Sequence, residues 1–332
     1  MKSRILLLTI AFICAISAHA TVLTVSNNNN SPGQYFDFTT AHTAAANGDT
    51  IYVHGSPYNY GTFDISKRLT VYGTGHNPQK QNINRSFVDN VNFHTGSKGS
   101  RLIGFEVYQA WSADNDVDSI TISLCKFNYR IIVDHSLCSN WVIENNVFLY
   151  AGENIHGGCS QDGMRIRNNV LNGIIQSFSN CQNNYHYVEH NVFLRAADAF
   201  TDCYNFYIND NIFYRANPSG SGVSATWSNN LSYQCSTNAF PSGVNQTNVN
   251  PQFVNLPAAG AYFDYSYDFH VSATGPAHNA ATDGTDIGVY GGAADYNQNG
   301  IPRIPYISQF AISNPSVAPG GTLNVTFKSK VR

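Results

Sequence analysis

The side chains best suited to chemistry cluster in the middle of this 332-residue chain. Asp134 is followed directly by His135, and Glu153 stands three residues before His156. Carboxylates and imidazoles are common general acids and bases. The sequence offers Asp134, His156 and Arg165 as the catalytic candidates. The alternative is that these residues are solvated turn residues without a chemical role.

Four aromatic residues give a candidate binding surface of a different kind. Tyr129 and Tyr150 are spaced 21 residues apart, and Tyr108 and Trp111 precede them. Rings on an open surface offer apolar faces for sugars, so we interpret Tyr108, Trp111, Tyr129 and Tyr150 as candidate ligand-binding residues. The alternative is that the tyrosines only cover the outside of a molecule with few charges.

One acidic string has the alternating carboxylates of a calcium loop, namely Asp114, Asp116 and Asp118. The string lacks the glycine and the distal glutamate of an EF-hand loop, because Ser119 and Cys125 stand at those positions. A polar turn is the alternative. The sequence therefore predicts no required cofactor, with calcium as the one metal that it suggests.

These residues lie in or beside a phrase that recurs every 20–23 residues. Its last apolar positions are spaced by 21, 23, 22 and 20 residues, and they are Phe127, Phe148, Leu171, Phe193 and Phe213. A short β-type phrase at such a period predicts a solenoid, in which each coil buries its apolar side chains against its neighbours. Stacked coils lie ~4.8 Å apart, so equivalent side chains should form columns along the axis.

Each copy of the phrase contains an asparagine just before its last apolar pair. We expect the second Asn of each pair to point inward and to form a ladder, because a buried amide needs a partner and the next coil supplies one. A left-handed turn conformation is a second explanation for Asn, and both can hold. The predicted ladder consists of Asn146, Asn169, Asn191, Asn211 and Asn230.

Four cysteines follow the same period, with spacings of 21, 22 and 22: Cys138, Cys159, Cys181 and Cys203. Neighbouring coils bring α-carbons within reach of a disulfide, and export would permit oxidation. One hypothesis pairs Cys138 with Cys159 and Cys181 with Cys203. The other is a column of buried free thiols.

The ends of the chain differ from the repeat. Residues 1–20 resemble a secretory signal peptide, with a positive start, a short apolar run and a small-x-small site at Ala18–Ala20. Residues 21–296 are predicted to form the solenoid, with a capping helix at residues 35–46 and a closing segment. Residues 297–332 are predicted to form a tail with two alternating strands, either a hairpin packed on the outside of the solenoid or an unpaired strand that joins a partner's sheet.

The amino-acid composition excludes some classes of binding partner. The formal net charge is −3 and charged residues make up 12% of the chain, so no nucleic-acid partner is expected. No later segment approaches the ~20 apolar residues of a membrane span. We expect an exported protein, extracellular or at the cell surface, with the periplasm as the alternative.

Two stretches carry a specific resemblance: Asn47-Gly-Asp-Thr-Ile-Tyr-Val53 and Lys67-Arg-Leu-Thr-Val-Tyr-Gly-Thr-Gly75. With the later Ile-x-Asn-Asn-x-Phe copies, they resemble the single-stranded right-handed parallel β-helix proteins of the pectin-lyase-like superfamily. The closing segment resembles that of many secreted bacterial β-helix proteins, and the tail resembles the short tails of Bacteroidetes-type members. The resemblance implies an all-β fold and, for the enzymes, polysaccharide lyase or glycoside hydrolase activity.

The polygalacturonase-type signatures of that superfamily are missing, since no Asp-Asp or Gly-His-Gly occurs. The sequence therefore favours a non-catalytic secreted or cell-surface protein that binds glycan or a protein partner. A lyase or hydrolase with a non-standard site is one alternative. A structural component of an outer-membrane-associated assembly, docked through the tail, is the other.

Overall fold

A computed structural model describes residues 20–79, 84–158, 162–178, 185–194, 198–257, 262–293, 296–314 and 316–331. The predicted signal peptide, apart from Ala20, lies outside these residues. The described chain is a parallel β-solenoid with one short helix at its start and an antiparallel hairpin near its end. This confirms the predicted all-β solenoid, while the right-handed sense of the coil stays a prediction.

Each complete coil contributes strands to three parallel sheets. The first sheet contains β1 (Val22–Val25), β2 (Thr50–Val53), β4 (Thr70–Tyr72), β6 (Arg101–Ile103), β8 (Thr121–Ser123), β11 (Val142–Glu144), β14 (Arg165–Arg167), β17 (His186–Glu189), the end of β19 (Phe200–Asn209) and β21 (Ser224–Ser228).

The second sheet follows a tight bend after the first. It contains the starts of β5 (Phe87–Phe93) and β7 (Glu106–Ser112), then β9 (Lys126–Phe127), β12 (Val147–Phe148), β15 (Val170–Leu171), β18 (Val192–Leu194), β20 (Ile212–Tyr214) and β22 (Leu231–Tyr233). The third sheet contains β3 (Thr62–Ile65), the ends of β5 and β7, β10 (Ile131–Val133), β13 (Glu153–Gly157), β16 (Ile174–Phe178) and the start of β19.

Aromatic columns fill the interior as the repeat predicts. The ring centroids of Phe127 and Phe148 are 5.0 Å apart, and those of Phe193 and Phe213 are 4.9 Å apart with nearly parallel planes. All four side chains are fully buried. Burying one such side chain contributes ~1.5–3 kcal/mol, so the columns are a main source of stability.

The asparagine ladder is confirmed, and the two residues of each pair have different tasks. The second Asn forms the ladder: Asn146 Nδ2 donates to Asn169 Oδ1 at 3.1 Å, and Asn169 Nδ2 donates to Asn191 Oδ1 at 3.0 Å. The residue before it takes a left-handed conformation, with φ of 57° at Asn145 and 52° at Asn168. That conformation makes the bend between the first and second sheets, so both explanations for Asn hold at neighbouring positions.

The ladder extends beyond the predicted residues at both ends. At one end Cys125 replaces the asparagine, and its backbone N–H donates to Asn146 Oδ1 at 2.9 Å. Burial raises the pKa of the Cys125 thiol to about 12, so this side chain stays neutral. At the other end Asn230 Nδ2 donates to Asn245 Oδ1 at 2.9 Å.

The first coil is capped by α1 (Phe38–Ala44), which is shorter than the predicted helix at residues 35–46. The Asp37 side chain accepts a hydrogen bond from Thr40 N at 2.7 Å and begins the helix. Phe38 stacks on Phe63 with centroids 3.8 Å apart, which covers the apolar end of the solenoid. The capping role is therefore confirmed.

The closing segment, residues 249–296, covers the outer side of the second sheet and forms a second apolar core. Phe263, Phe269 and Ile287 from this segment pack with the sheet residues Val147, Val170, Val192, Ile212 and Leu231. Asn168, at the bend, donates through Nδ2 to the carbonyls of Val289 and Gly291 at 2.9 and 2.8 Å. β23 (Phe253–Asn255) and β24 (Asp268–Val271) form an antiparallel pair within the segment.

The predicted tail, residues 297–332, begins on the solenoid and then leaves it. Asn299 accepts backbone hydrogen bonds from His76 and Asn77, both at 3.3 Å, whereas β25 (Pro305–Ile312) and β26 (Val325–Val331) pair with each other as an antiparallel hairpin. No helix among the described residues is long and apolar enough to cross a membrane.

Candidate functional site

The outer side of the third sheet carries one continuous row of side chains along the solenoid axis. Strand register places these residues in successive coils: Asp64, Asn92, Trp111, Ile132, His156 and Gln176. Trp111 is 38% exposed in the middle of this row, beside the nearly buried Ile132. We use the name aromatic face for this row together with three tyrosines at the start of the third-sheet strands and the polar groups around them.

These three tyrosines lie next to one another, as the sequence predicts. The rings of Tyr108 and Tyr129 stack with centroids 5.4 Å apart and planes 24° apart. The ring of Tyr150 lies 4.8 Å from that of Tyr129 but is turned by 64°, out of the stack. The ring of Tyr129 is therefore in contact with both neighbouring tyrosines. The Tyr150 side chain is 43% exposed, so a face of its ring is open to a ligand.

Gly152 allows the orientation of Tyr150. A Cβ atom on Gly152 would overlap the ring and hydroxyl of Tyr150, which lie directly against the glycine backbone. Sequence reasoning missed Gly152, since a single glycine after a tyrosine has no recognisable pattern.

A polar network that includes His156 and Gln176 of the row lies on the same face. Glu153 accepts hydrogen bonds from Arg130 and Gln176, and its Oε2 lies 3.5 Å from His156 Nδ1. The Arg130 guanidinium carbon lies 4.8 Å from the ring centroid of Tyr129. Two of the residues named from sequence, Glu153 and His156, are therefore in contact, and Arg130 and Gln176 join them.

Asp134 and His135 lie at the other edge of the row, next to Trp111. His135 Nδ1 is 3.1 Å from Asp134 Oδ1. With Trp111 and Ile132 they line a shallow cavity of about 220 Å³. Small-molecule sites usually have ~300–1,000 Å³, so this cavity suits one unit of a chain that lies along the surface.

Arg165, the third catalytic candidate, does not belong to this face. It lies on the outer side of the first sheet, with its guanidinium carbon 5.7 Å from the ring centroid of Tyr187. Tyr207 stacks on Tyr187 with centroids 5.6 Å apart, and Tyr185 lies 4.4 Å from Tyr207. The structure thus groups Asp134 and His156 with the aromatic residues and separates Arg165 from them.

The outer side of the first sheet is rich in arginine, and we call it the arginine face. Arg167 makes a two-point contact with Glu144, through Nε at 2.8 Å and Nη2 at 2.7 Å. Arg101 lies two coils before Glu144 in the same sheet. Arg101, Glu144 and Arg167 line a groove of about 450 Å³ against residues 296–304.

The predicted calcium residues bond to different partners. Asp114 accepts from Thr95 N at 3.0 Å and lies 3.1 Å from His94 Nδ1, whereas Asp118 pairs with Lys98 at 2.8 Å. Asp116 has a left-handed backbone, with φ of 61°. Among the described residues, no group of three or more His, Cys, Asp or Glu side chains is arranged to hold a metal ion. Calcium binding stays a prediction.

The Thr95 backbone hydrogen bond holds the pKa of Asp114 below its ordinary value. Asp118 also has a lowered pKa: burial acts to raise it, but the hydrogen bonds from Lys98 and Asn140 outweigh burial. Both carboxylates are therefore committed to the ionised form.

Two of the predicted disulfide residues, Cys159 and Cys181, lie outside the described residues, so the two pairings stay predictions. Cys138 and Cys203 are both buried. The Cys138 sulfur lies 3.4 Å from the carbonyl oxygen of Asp114, and the Cys203 sulfur lies 3.4 Å from that of Ile175. In the third-sheet register Cys203 lies opposite Phe178 of the preceding coil.

A buried ion pair lies near one end of the second core. Lys126 Nζ lies 2.9 Å from Glu106 Oε2, and Arg85 Nε lies 3.0 Å from the same oxygen. Burial lowers the pKa of Lys126, and the charge of Glu106 opposes that shift. Lys126 and Glu106 are enclosed by protein, whereas the Arg85 side chain is 49% exposed.

Comparison with known proteins adds no assignment to this geometry. No family model matches the sequence, and no curated protein is significantly similar to it.

Proposed function

We propose that the aromatic face binds a polysaccharide chain and that the protein is an exported, non-catalytic glycan-binding protein of the pectin-lyase-like type. The observation that carries this proposal is the exposure of Trp111 and Tyr150 on one open side of a rigid sheet. Sugars pack their apolar C–H surfaces on such rings, and surrounding polar groups bond to their hydroxyls. Arg130, Glu153 and Gln176 provide such groups on the same face.

The test compares retention of the protein in gels that contain one polysaccharide each. Trp111→Ala and Tyr150→Ala should each weaken retention about tenfold, the effect of losing a binding hot spot. Tyr185→Ala is the matched control, because Tyr185 is 47% exposed on the arginine face. Retention that falls equally in all three variants, or in none, would contradict this proposal.

The same panel separates binding from catalysis. A lyase releases unsaturated ends that absorb ultraviolet light, and a hydrolase releases reducing ends. Product formation that is lost in Asp134→Asn or His156→Gln would replace the binding proposal with the enzyme alternative.

The hairpin supports a second candidate function, docking on a protein partner at the cell surface. In β26, Val325 is 44% and Phe327 is 68% exposed, which is high for apolar side chains. Truncation before Pro305 should release the protein from the cell envelope if the hairpin anchors it there. Unchanged fractionation of the truncated chain would rule this function out.

A further inference from the structure

We propose that the aromatic face selects neutral polysaccharides and discriminates against acidic ones. This inference rests on the proposed function and adds the chemical class of the ligand. It follows from the charged groups around the exposed rings of Trp111 and Tyr150 and from the hydrogen bonds that those charged groups make.

Carboxylates dominate the surroundings of Trp111 and Tyr150. Asp134 lines the cavity beside Trp111, and Asp114 lies at the same corner of the coil. Glu153 follows Tyr150 by three residues in the same coil, and Asp64 stands two coils before Trp111 in the row. Arg130 is the one Lys or Arg among the described residues that contact these groups, and Glu153 accepts its hydrogen bond.

An anionic sugar would therefore meet like charge along the whole row. Its carboxylate would have to compete with Glu153 for Arg130, and like charges within a Debye length of ~10 Å repel each other. A neutral sugar has no such cost. Its hydroxyl groups can donate to the oxygens of Asp134, Glu153 and Gln176, while its apolar side packs on the rings.

The length of the face also suits a chain. From Asp64 to Gln176 the row covers five coil steps, or ~24 Å at ~4.8 Å per step. A ligand that lies along this row passes Asp64, Asp134 and Glu153 in turn. The discrimination therefore adds up over several sugar units instead of depending on one contact.

The arginine face gives an internal contrast. Arg101 and Arg165 have no carboxylate within ion-pair distance among the described residues, and Arg165 stacks on Tyr187. If an acidic polysaccharide binds this protein at all, the charges place it on the arginine face. That binding would be independent of Trp111.

The experiment uses two polymers that differ only in charge: polygalacturonate and its carboxyl-reduced form, in which each carboxylate has become a primary alcohol. Affinity is measured for the full chain at pH 8, with EDTA, at low and high salt. The neutral polymer should bind about tenfold more tightly at ~20 mM salt, and the ratio should approach one at ~500 mM salt, where charge is screened. The Trp111→Ala variant should no longer bind the neutral polymer measurably.

Charge-removing variants sharpen the result. Asp64→Asn and Asp134→Asn should each raise the ratio of acidic to neutral affinity about twofold at low salt. Glu189→Gln, on the arginine face, is the matched control and should leave the Trp111-dependent ratio unchanged.

Three results would overturn the inference. Trp111-dependent binding of polygalacturonate that equals or exceeds that of the neutral polymer would remove the selectivity but keep the glycan-binding function. Polygalacturonate binding that appears on the aromatic face only with calcium would do the same and point to a cation-bridged ligand. Failure of every polysaccharide to bind would remove the proposed function itself.

Discussion

The aromatic face and the arginine face are built on the same coils, yet carboxylates outnumber arginines on the first and arginines outnumber carboxylates on the second. Both are open sides of flat parallel sheets, and both carry exposed tyrosines, Tyr150 on one and Tyr185 on the other. The first has Asp64, Asp134 and Glu153, and the second has Arg101, Arg165 and Arg167. The formal net charge of −3 hides this division.

The contrast follows from what the repeat controls. Side chains alternate between the two sides of a strand, and only the inward ones must fit the next coil. Outward residues of one sheet are free to differ from those of another. A solenoid can therefore offer two ligand surfaces of different chemistry on one scaffold.

The largest expected effect comes from the ladder beneath both faces. Asn169→Ala leaves the N–H and Nδ2 of Asn146 without their acceptor and the Ile143 carbonyl without a donor. Each unsatisfied buried group costs ~1–3 kcal/mol, so we expect a loss of about 3–5 kcal/mol in the free energy of unfolding, measured with urea. Asn30→Ala, at an exposed position, should change it by less than about 0.5 kcal/mol. Equal losses would show that the ladder does not stabilise the coils.

A second comparison sets an enclosed ion pair against an exposed one. Lys126→Ala should cost about 3 kcal/mol of unfolding free energy, because it leaves the buried Glu106 with one cation fewer. Arg167→Ala breaks the pair with Glu144 on the arginine face and should cost under about 1 kcal/mol. The reverse order would mean that the second core does not exclude water from Lys126.

The third prediction concerns the geometry of the aromatic face. Gly152→Ala should displace the Tyr150 ring and weaken glycan retention about as much as Tyr150→Ala, or about tenfold. The double variant should lose no more than either single variant, because the two act on one ring. Additive losses would show that Gly152 does not act through Tyr150. Tyr185→Ala, on the arginine face, should again leave retention unchanged.

The smallest effect is a difference in acid sensitivity. The pKa of Asp114 is lowered in the folded state, so its contribution to stability is present above its ordinary value of 3.8 and is lost as pH falls below it. Unfolding free energy should decline over that window, and Asp114→Asn should make the decline shallower. An unchanged slope in the variant would show that the Thr95 hydrogen bond does not stabilise the charge.

The sequence predicted the interior well because the repeat is an interior signal. Phe148, Phe193 and Asn169 recur at positions that must stack, so their spacing revealed the coils and the ladder. Cys125 and Asn245 were missed because one departs from the asparagine pattern and the other lies in an irregular loop.

The burial of the outer side of the second sheet was also not predicted, although the sequence contains a pattern that indicates it. From the second copy onward, the residue before the last inward apolar residue is itself apolar, as in Val147, Val170 and Val192. Strands that are apolar on both sides belong to a sheet buried on both sides. Residues 249–296 provide that cover, which leaves the first and third sheets as the exposed ones.

Only part of the candidate grouping could be predicted. The spacing of Tyr129 and Tyr150 assigned them to neighbouring coils, and the structure brings Tyr108, Tyr129 and Tyr150 into contact, as it does Glu153 and His156. Their binding and catalytic roles stay predictions. Arg165 was grouped with them because it is close in sequence. Each coil contributes strands to three sheets, so residues that are close in the chain can lie on different sides of the molecule.

The asparagine ladder has a direction, and this has a consequence for how such a chain can change length. Each ladder oxygen accepts from the coil before it, and each amide nitrogen donates to the coil after it, so every internal junction is interchangeable with every other. Duplication or deletion of one whole coil between Asn146 and Asn230 would reconnect donor to acceptor without loss. Ladder neighbours are separated by 23, 22, 20 and 19 residues, so the loops within a coil can differ in length while the ladder is kept. The molecule is thus open to growth by whole coils, and each added coil would lengthen both outer surfaces at once.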